Sequence, residues 1–408
     1  MKGCDCADEP LMPVEAALQQ MLERLPPPLP SEAVPLDAAS GRILAQTLYA
    51  PADVPAWDNS AMDGYALRFS DWRPGIGMSL GGRIAAGQVG GRLEGGQAVR
   101  IFTGAPLPEG ADTVVAQEDC RLEQGQLLID ELSTGSHVRR RGEDSHAGDL
   151  LLAAGTLLRP TEIGLLASRG VGALEVFRRL RVALVSTGDE LREPGEPLAP
   201  GQIHNANRPM LKALLEGWGC VVIDGGTLPD RHDVTRRELA ALACEADVLI
   251  TSGGVSVGEE DHIRNVVKEL GGLHLWRLAI QPGKPLAFGE VRGTTWIGLP
   301  GNPVASLVTA LVVARPWLWR AMGRSQRPPQ PVVLPSGFGW PKPRVRAQFL
   351  RACLASGPDG SLAVLHGQQG SAQLAALSWA EGLVEIEAGR TFESGAPVRY
   401  WPLADLLS

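Results

Sequence analysis

Residues 246–262 read ADVLITSGGVSVGEEDH, a short apolar run that breaks into glycine and hydroxyl residues and then into carboxylates. Val248, Leu249 and Ile250 have the aliphatic, partly β-branched character of a strand buried on both faces. Thr251, Ser252, Gly253, Gly254, Ser256 and Gly258 follow, a composition that lets backbone N–H groups and hydroxyls approach an anion without side-chain bulk. Glu259, Glu260 and Asp261 then open a predicted helix, with Ile263, Val266, Val267 and Leu270 at helical spacing and Gly271 and Gly272 at its end. Strand, loop and helix in this order place a candidate ligand loop at the carboxyl end of a strand. The same residues also suit a plain turn whose carboxylates complement a helix dipole. The run lacks the Gly-Lys-Ser/Thr ending of a Walker A loop.

Outward from this stretch, strands alternate with helices. Residues 182–186 read as a strand ending in Thr187-Gly188-Asp189-Glu190, 207–217 as a helix with Pro209 in its first turn, and 220–224 as a strand. A Thr235-to-Glu238 capping box predicts a helix over 235–245. Strands are predicted at 273–280 and 294–299, and a last helix that starts after Gly301-Asn302-Pro303 and runs to about Met322. This alternation predicts a parallel, doubly wound sheet. Segments 186–190, 252–261, 282–285 and 300–303, with Asp230, fall at or near strand ends, where one crevice can gather them.

The remainder predicts further domains, as 408 residues exceed one ordinary core. Residues 14–25 carry Val14, Ala17, Leu18, Met21, Leu22 and Leu25 on one helical face, stopped by three prolines, and 35–50 show a second apolar pattern. In DNSAMDGYA, 58–66, Asn59, Ser60 and Asp63 gather at a predicted tight turn at Gly64. Short strands predicted at 81–86, 98–103, 113–116 and 127–129 read as a small β domain. Arg139, Arg140 and Arg141 beside Glu143 and Asp144 suit either a solvated charge run or oxyanion recognition by N–H forks. A helix over 160–169 with Thr161 as N-cap and a strand over 170–176 follow. Residues 324–331 read as a Pro- and Gln-rich linker, and 332–408 as a small β-barrel domain.

Composition narrows the function classes. A hydrophobic share of 44% with 21% charged residues is that of a globular protein. The net charge of -8 argues against nucleic acid as partner, though not against a small anionic substrate. No apolar run reaches the ~18 residues of a membrane span, the longest being 307–314. The start lacks an apolar secretion signal, so the expectation is a cytoplasmic protein without membrane association. Cys120, Cys220, Cys244 and Cys353 are expected as reduced thiols in apolar or half-apolar surroundings, while Cys4 and Cys6 form a lone CxC.

Four stretches, SGGVSVGEEDH at 252–262, DNSAMDGYA, TGAPLPEGADTVV at 103–115 and GQQGSAQLAALSWAEGLVEIEAG at 367–389, resemble signatures of the MoeA/gephyrin family, the molybdopterin molybdenumtransferases. The resemblance covers nearly the whole chain. It implies an α/β plus β multidomain fold: an elongated linking and dimerisation domain from 7–50 and 149–180, an inserted β domain at 51–148, a doubly wound α/β molybdopterin-binding domain at 181–326, and a C-terminal β-barrel at 327–408. It further implies that the substrates are adenylylated molybdopterin and molybdate, and the products molybdenum cofactor and AMP. Mg²⁺ is the implied cofactor, a homodimer the implied assembly, and other cofactor-biosynthesis proteins the implied transient partners.

Residue by residue, the resemblance gives catalytic roles to Asp63, Asp144, Glu190 and Asp261, and a metal site to Glu190, Asp230 and Asp261, hard oxygen donors that suit Mg²⁺. It gives substrate contacts to Thr103, Arg139, Ser252, Gly253, Gly254, Ser256, Gly258, Arg277, Gln281, Lys284, Pro300 and Pro303. In WRLAIQPGKP, 276–285, some family members carry lysines where Arg277 and Gln281 stand, so the anion subsite is expected to lack one charge here. Two alternatives stay open. One is the adenylyltransferase of the preceding step, which shares the α/β fold, and the other a non-catalytic molybdopterin-binding scaffold.

Overall fold

Strand Val248–Ser252 is buried along its whole length at the centre of a six-stranded sheet. The computed structural model describes residues 11–254, 262–325, 329–357 and 360–407. The strand order is Val221–Leu228, Arg181–Thr187, Val248–Ser252, Thr294–Leu299, Pro285–Val291 and Leu273–Arg277. The first four run parallel. Both faces are covered: Val182 and Leu184 join the core beneath helix Asn207–Gly217, and Ala183 and Val185 that beneath helices His232–Glu245 and His262–Leu270. This alternation follows from the period of two along a strand.

The sheet is mixed where parallel pairing was expected throughout. Strand Pro285–Val291, which the sequence reading missed, forms an antiparallel hairpin with Thr294–Leu299, and Leu273–Arg277 pairs antiparallel with it at the edge. Arg292 and Gly293 both take positive φ in that two-residue connection, the geometry that favours a tight hairpin over a crossover. Helix His232–Glu245 starts three residues before the expected capping box, and Thr235 lies buried inside it.

Segments far apart in sequence meet in the linking region. Ser31–Pro35 pairs antiparallel with Ala173–Phe177, and Leu48–Tyr49 with Leu150–Leu152, over a core of Leu44, Leu158, Leu166, Leu174 and Val176. Helix Pro160–Ser168 is capped by Arg159 and not by Thr161, because Glu162 at the third position bonds back to the Arg159 backbone N–H. Between these segments lies a six-stranded sheet that includes Gly64–Leu67, Gln97–Ile101 and Thr113–Ala116. Gly64 begins a strand instead of making the expected turn. A Cβ there would lie 1.8 Å from the Val115 carbonyl oxygen, so close strand approach requires glycine.

In the C-terminal part, Ala347–Gly357, Gly382–Ile386, Pro397–Pro402 and Val332–Pro335 pair antiparallel in succession, and Gly360–Leu365 pairs with the first. A bridge between Ser336 and Ala363 closes the ring. Helix Leu374–Trp379, also unexpected, covers one side. Ile280–Gln281 pairs parallel with Ala347–Gln348, joining the barrel to the α/β part. Among the cysteines, Cys220 is buried, whereas Cys244 is exposed on its helix, contrary to expectation. Cys4 and Cys6 lie outside the described residues. No helix among the described residues is long and apolar enough to cross a membrane.

Candidate functional site

The chain leaves strand Arg181–Thr187 toward Val221–Leu228 on one side and later returns to Val248–Ser252 on the other, which makes a switch point between the first and last of these strands. Open α/β sheets bind ligands at this place. A cavity of about 1030 Å³ lies there, formed by the strand-end loops, the turn at 281–285 and the barrel segment 369–372.

Backbone geometry shapes its floor. Gly253 and Gly254 take φ of +95° and +64°, and a Cβ on Gly254 would lie 2.7 Å from Ile263 Cγ1. Both conformation and packing therefore demand glycine, and the loop backbone is bare toward the cavity. Buried Asn207 donates from Nδ2 to Ser252 Oγ and to the Gly301 carbonyl oxygen, each at 2.7 Å. Ser252 Oγ accepts this bond, so its own proton has no acceptor among the described residues. Asn205 extends the polar floor, donating to Thr227 Oγ1 at 2.9 Å.

Glu190 and Asp230 stand on the wall. Asp230 is held by reciprocal bonds with Asp189: the Asp189 N–H donates to Asp230 Oδ2 at 3.3 Å and the Asp230 N–H to Asp189 Oδ1 at 3.1 Å. Neither Glu190 nor Asp230 has an ion-pair partner among the described residues, so both keep oxygen atoms suited to a hard divalent cation. Asp261, the third expected ligand, lies outside the described residues, as do Ser256 and Gly258.

Cations line the same cavity. Lys284 and Arg346 line the cavity without a carboxylate partner among the described residues. Behind lining residues 369–371, Arg351 is 0% exposed. Its Nη2 donates to the Gln368 and Gly370 carbonyl oxygens, while Nε and Nη1 have no partner among the described residues. Burial pulls its pKa below the usual guanidinium range.

The structure thus brings together Glu190, Asp230, Ser252, Gly253, Gly254, Gln281, Lys284, Pro300 and Pro303. It does not bring Arg277 to the cavity. Nor do Asp63, Thr103, Arg139 and Asp144 line it; they stand on the inserted sheet and its return. Asp63 accepts from the Thr103 N–H and Oγ1, each at 2.8 Å, and these bonds, the backbone one first, hold its carboxyl below the usual range. Asp144 pairs with Arg169, whose side chain is 3% exposed. Of the arginine run, Arg140 pairs with Asp58 and Arg141 with Asp53, each at 2.6 Å, leaving Arg139 exposed and unpaired among the described residues.

Sequence reasoning missed Asn205, Asn207, His262, Arg346, Gln369 and Ser371, all on the cavity wall. The polar triplet Asn205-Ala206-Asn207 at a helix start and the glycine-flanked Gln368-Gln369 pair were the available signals.

Family models described as "MoeA N-terminal region (domain I and II)", "Probable molybdopterin binding domain" and "MoeA C-terminal region (domain IV)" match residues 12–170, 183–320 and 333–403. The chain is 43% identical over 324 residues to a protein of Haemophilus influenzae named molybdopterin molybdenumtransferase, covering 78% of this chain and 80% of that one. It is 36% identical over 386 residues to molybdopterin molybdenumtransferase 2 of Mycobacterium tuberculosis, covering 91% and 94%. Two solved structures of the molybdopterin biosynthesis MoeA protein from Pyrococcus horikoshii superpose with TM-scores of 0.82 and 0.77, at 26% and 32% identity, over 96% of this chain and 99% of theirs.

Proposed function

Because the chain belongs to the MoeA family of molybdopterin molybdenumtransferases, we propose that its switch-point cavity is where molybdate is inserted into adenylylated molybdopterin, with release of AMP. The enzyme is a transferase of molybdenum cofactor biosynthesis. One observation carries the assignment to this cavity: among the described residues it is lined both by Glu190 and Asp230, which have no ion-pair partner, and by Lys284 and Arg346, which have no carboxylate partner. A site for a metal-bridged phosphate and a tetrahedral oxyanion needs both signs of charge.

Glu190 and Asp230, with Asp261, would hold Mg²⁺; the donor set is all oxygen, as that ion prefers. When bound, Mg²⁺ would supply the positive charge that offsets the negative charge of the departing adenylate. The chain's own groups do the positioning. The bare backbone at Gly253 and Gly254 and the Ser252 hydroxyl receive phosphate oxygens. Lys284 holds the oxyanion, and the buried Arg351, short of two hydrogen bonds, adds positive potential behind the wall.

The working form is a homodimer in the cytoplasm, in which the partner's inserted domain brings Asp63, Thr103, Arg139 and Asp144 to the cavity. Two features support this reading. These residues do not line the cavity of their own chain, and Tyr49 and Leu150, neighbours on paired strands, are each 60% exposed, apolar surface of the kind that subunit contacts cover. The same reading divides the chain into the four domains 7–50 with 149–180, 51–148, 181–326 and 327–408.

Incubation with adenylylated molybdopterin, Mg²⁺ and molybdate tests the function. AMP release with molybdenum cofactor formation is the expected result. ATP consumption with free molybdopterin would instead reveal an adenylyltransferase, and binding without turnover a scaffold.

A further inference from the structure

Arg351 lies in strand Ala347–Gly357 of the barrel, 0% exposed, and does not line the cavity; the loop it holds does. Its Nη2 donates to the Gln368 carbonyl oxygen at 3.0 Å and to the Gly370 carbonyl oxygen at 3.2 Å. Gln369, between them, clasps the Arg351 backbone with its amide: Oε1 accepts from the Arg351 N–H and Nε2 donates to the Arg351 carbonyl oxygen, each at 2.9 Å. The loop is held from the α/β part as well, where the Val304 N–H donates to the Ser371 carbonyl oxygen at 3.0 Å.

These bonds fix the direction of two peptide planes. In a trans peptide the carbonyl and the N–H that follows it point opposite ways, and neither bond here is cis. With the carbonyls of Gln368 and Gly370 turned to buried Arg351, the N–H groups of Gln369 and Ser371 turn away from it, to the side on which 369–371 line the cavity. The bonding pattern agrees. The Gln368 N–H donates to His366 Nδ1 at 3.0 Å and the Gly370 N–H to Gln373 Oε1 at 2.7 Å, whereas the N–H groups of Gln369 and Ser371 have no acceptor among the described residues. Alternate amides are spent within the loop, and the other two are left for a ligand. A guanidinium without a carboxylate partner among the described residues, and with two buried N–H groups unmet there, is costly to retain. A loop that only needed closing would be served by neutral donors such as the Gln369 amide.

Resting on the function proposed above, we propose that Arg351 is a positioning residue: it aligns peptides 368–369 and 370–371 so that the N–H groups of Gln369 and Ser371 form a two-donor nest for one tetrahedral oxyanion. Main-chain donors set in advance receive such an anion without reorganising. Arg351 does not touch the anion; its charge adds to the positive ends of the two peptides it orients. The oxyanion is the free metal oxyanion or a phosphate of the adenylylated substrate, which present the same oxygen chemistry to two N–H donors.

Wild type, Arg351→Met and Arg351→Lys test this. They are compared by equilibrium dialysis of radiolabelled tungstate and of AMP, and by hydrogen exchange of the 366–373 amides with and without each anion. In the wild type at least one of the two anions is expected to slow exchange in this segment. Arg351→Met, which keeps an apolar stem and loses both carbonyl bonds, is expected to abolish that slowing and to weaken binding of the same anion about tenfold. Loss confined to tungstate assigns the nest to the free oxyanion, and loss confined to AMP assigns it to the phosphate. Arg351→Lys lacks the planar fork, and an intermediate loss is expected. A purely structural arginine would lower the melting temperature and speed exchange along the barrel strands, while leaving both affinities and the anion-dependent slowing at 366–373 intact. That result overturns the proposal, as does wild-type exchange that neither anion slows. Where Arg351→Met does not fold, Arg351→Lys decides by the same readouts, unchanged slowing and affinities contradicting the role. If the wild type shows the exchange signature but fails to convert adenylylated molybdopterin, the functional reading falls and the nest stands.

Discussion

Asn207 at the start of one helix holds Ser252 at the end of the central strand, Nδ2 to Oγ at 2.7 Å, and with the same nitrogen holds the Gly301 carbonyl oxygen. Two loops of the cavity are thereby pinned to one buried amide. Truncation leaves buried polar groups unsatisfied, at a cost of about 1–3 kcal/mol. Asn207→Ala should therefore lower the urea midpoint of unfolding by a corresponding amount and reduce turnover more than it reduces expression. A variant as stable and as active as wild type would show that water replaces the amide without loss.

Mixed dimers test how the two groups of site residues combine. At a magnesium concentration that is limiting for Glu190→Gln, Asp63→Asn and Glu190→Gln should each lose most of their activity alone. Refolded together, they should regain about a quarter of wild-type activity, since about half of randomly paired dimers are mixed and each mixed dimer has one intact site. Light scattering should give twice the 43.3 kDa chain mass. A monomeric active enzyme, or no recovery on mixing, contradicts shared sites.

Magnesium dependence reports on the carboxylates. Glu190→Gln and Asp230→Asn keep shape but lose the charge that a hard cation needs, so the magnesium concentration for half-maximal AMP release should rise by about tenfold or more. Titration of both variants with Mg²⁺ checks this; unchanged curves would return the two residues to loop structure.

Acid stability has a separate origin, in the linking region. The Arg159 side chain, followed by lesser hydrogen bonds against a burial cost, holds Glu162 at about 2 instead of 4.5. A depressed carboxylate pKa stabilises the fold above its unfolded value and loses that contribution as pH falls toward the folded one. The difference in urea midpoint between wild type and Glu162→Gln should accordingly be full above about pH 5 and vanish toward about pH 2. A difference independent of pH from neutrality to about pH 3 would remove the ion pair from the explanation.

How far the sequence could be read depended on whether the signal was local. Val248, Leu249 and Ile250 announce a strand by composition, and Asn207–Gly217 was placed to the residue because Pro209 marks its first turn. Strand Pro285–Val291 was hidden by its opening Pro285 and by Gly289, which keeps a Cβ from meeting the Gly272 carbonyl oxygen at 2.2 Å. That closeness exists only once the sheet has formed. In the site, the loop glycines and acidic residues were legible. Arg346 was not, since it sits 65 residues from Gln281 and only the pairing of Ile280 with Ala347 brings them together. The guanidinium that stands beside Gln281 comes from the start of that barrel strand.

The central claim is that one cavity at the sheet's switch point receives the oxyanion, and anomalous scattering locates that anion directly. Crystals grown with tungstate, collected at the tungsten edge, should show one strong peak inside the cavity, between Lys284, Gln281 with Arg346, and Ser371. A well-occupied peak elsewhere on the molecule, with none in the cavity, would contradict the account.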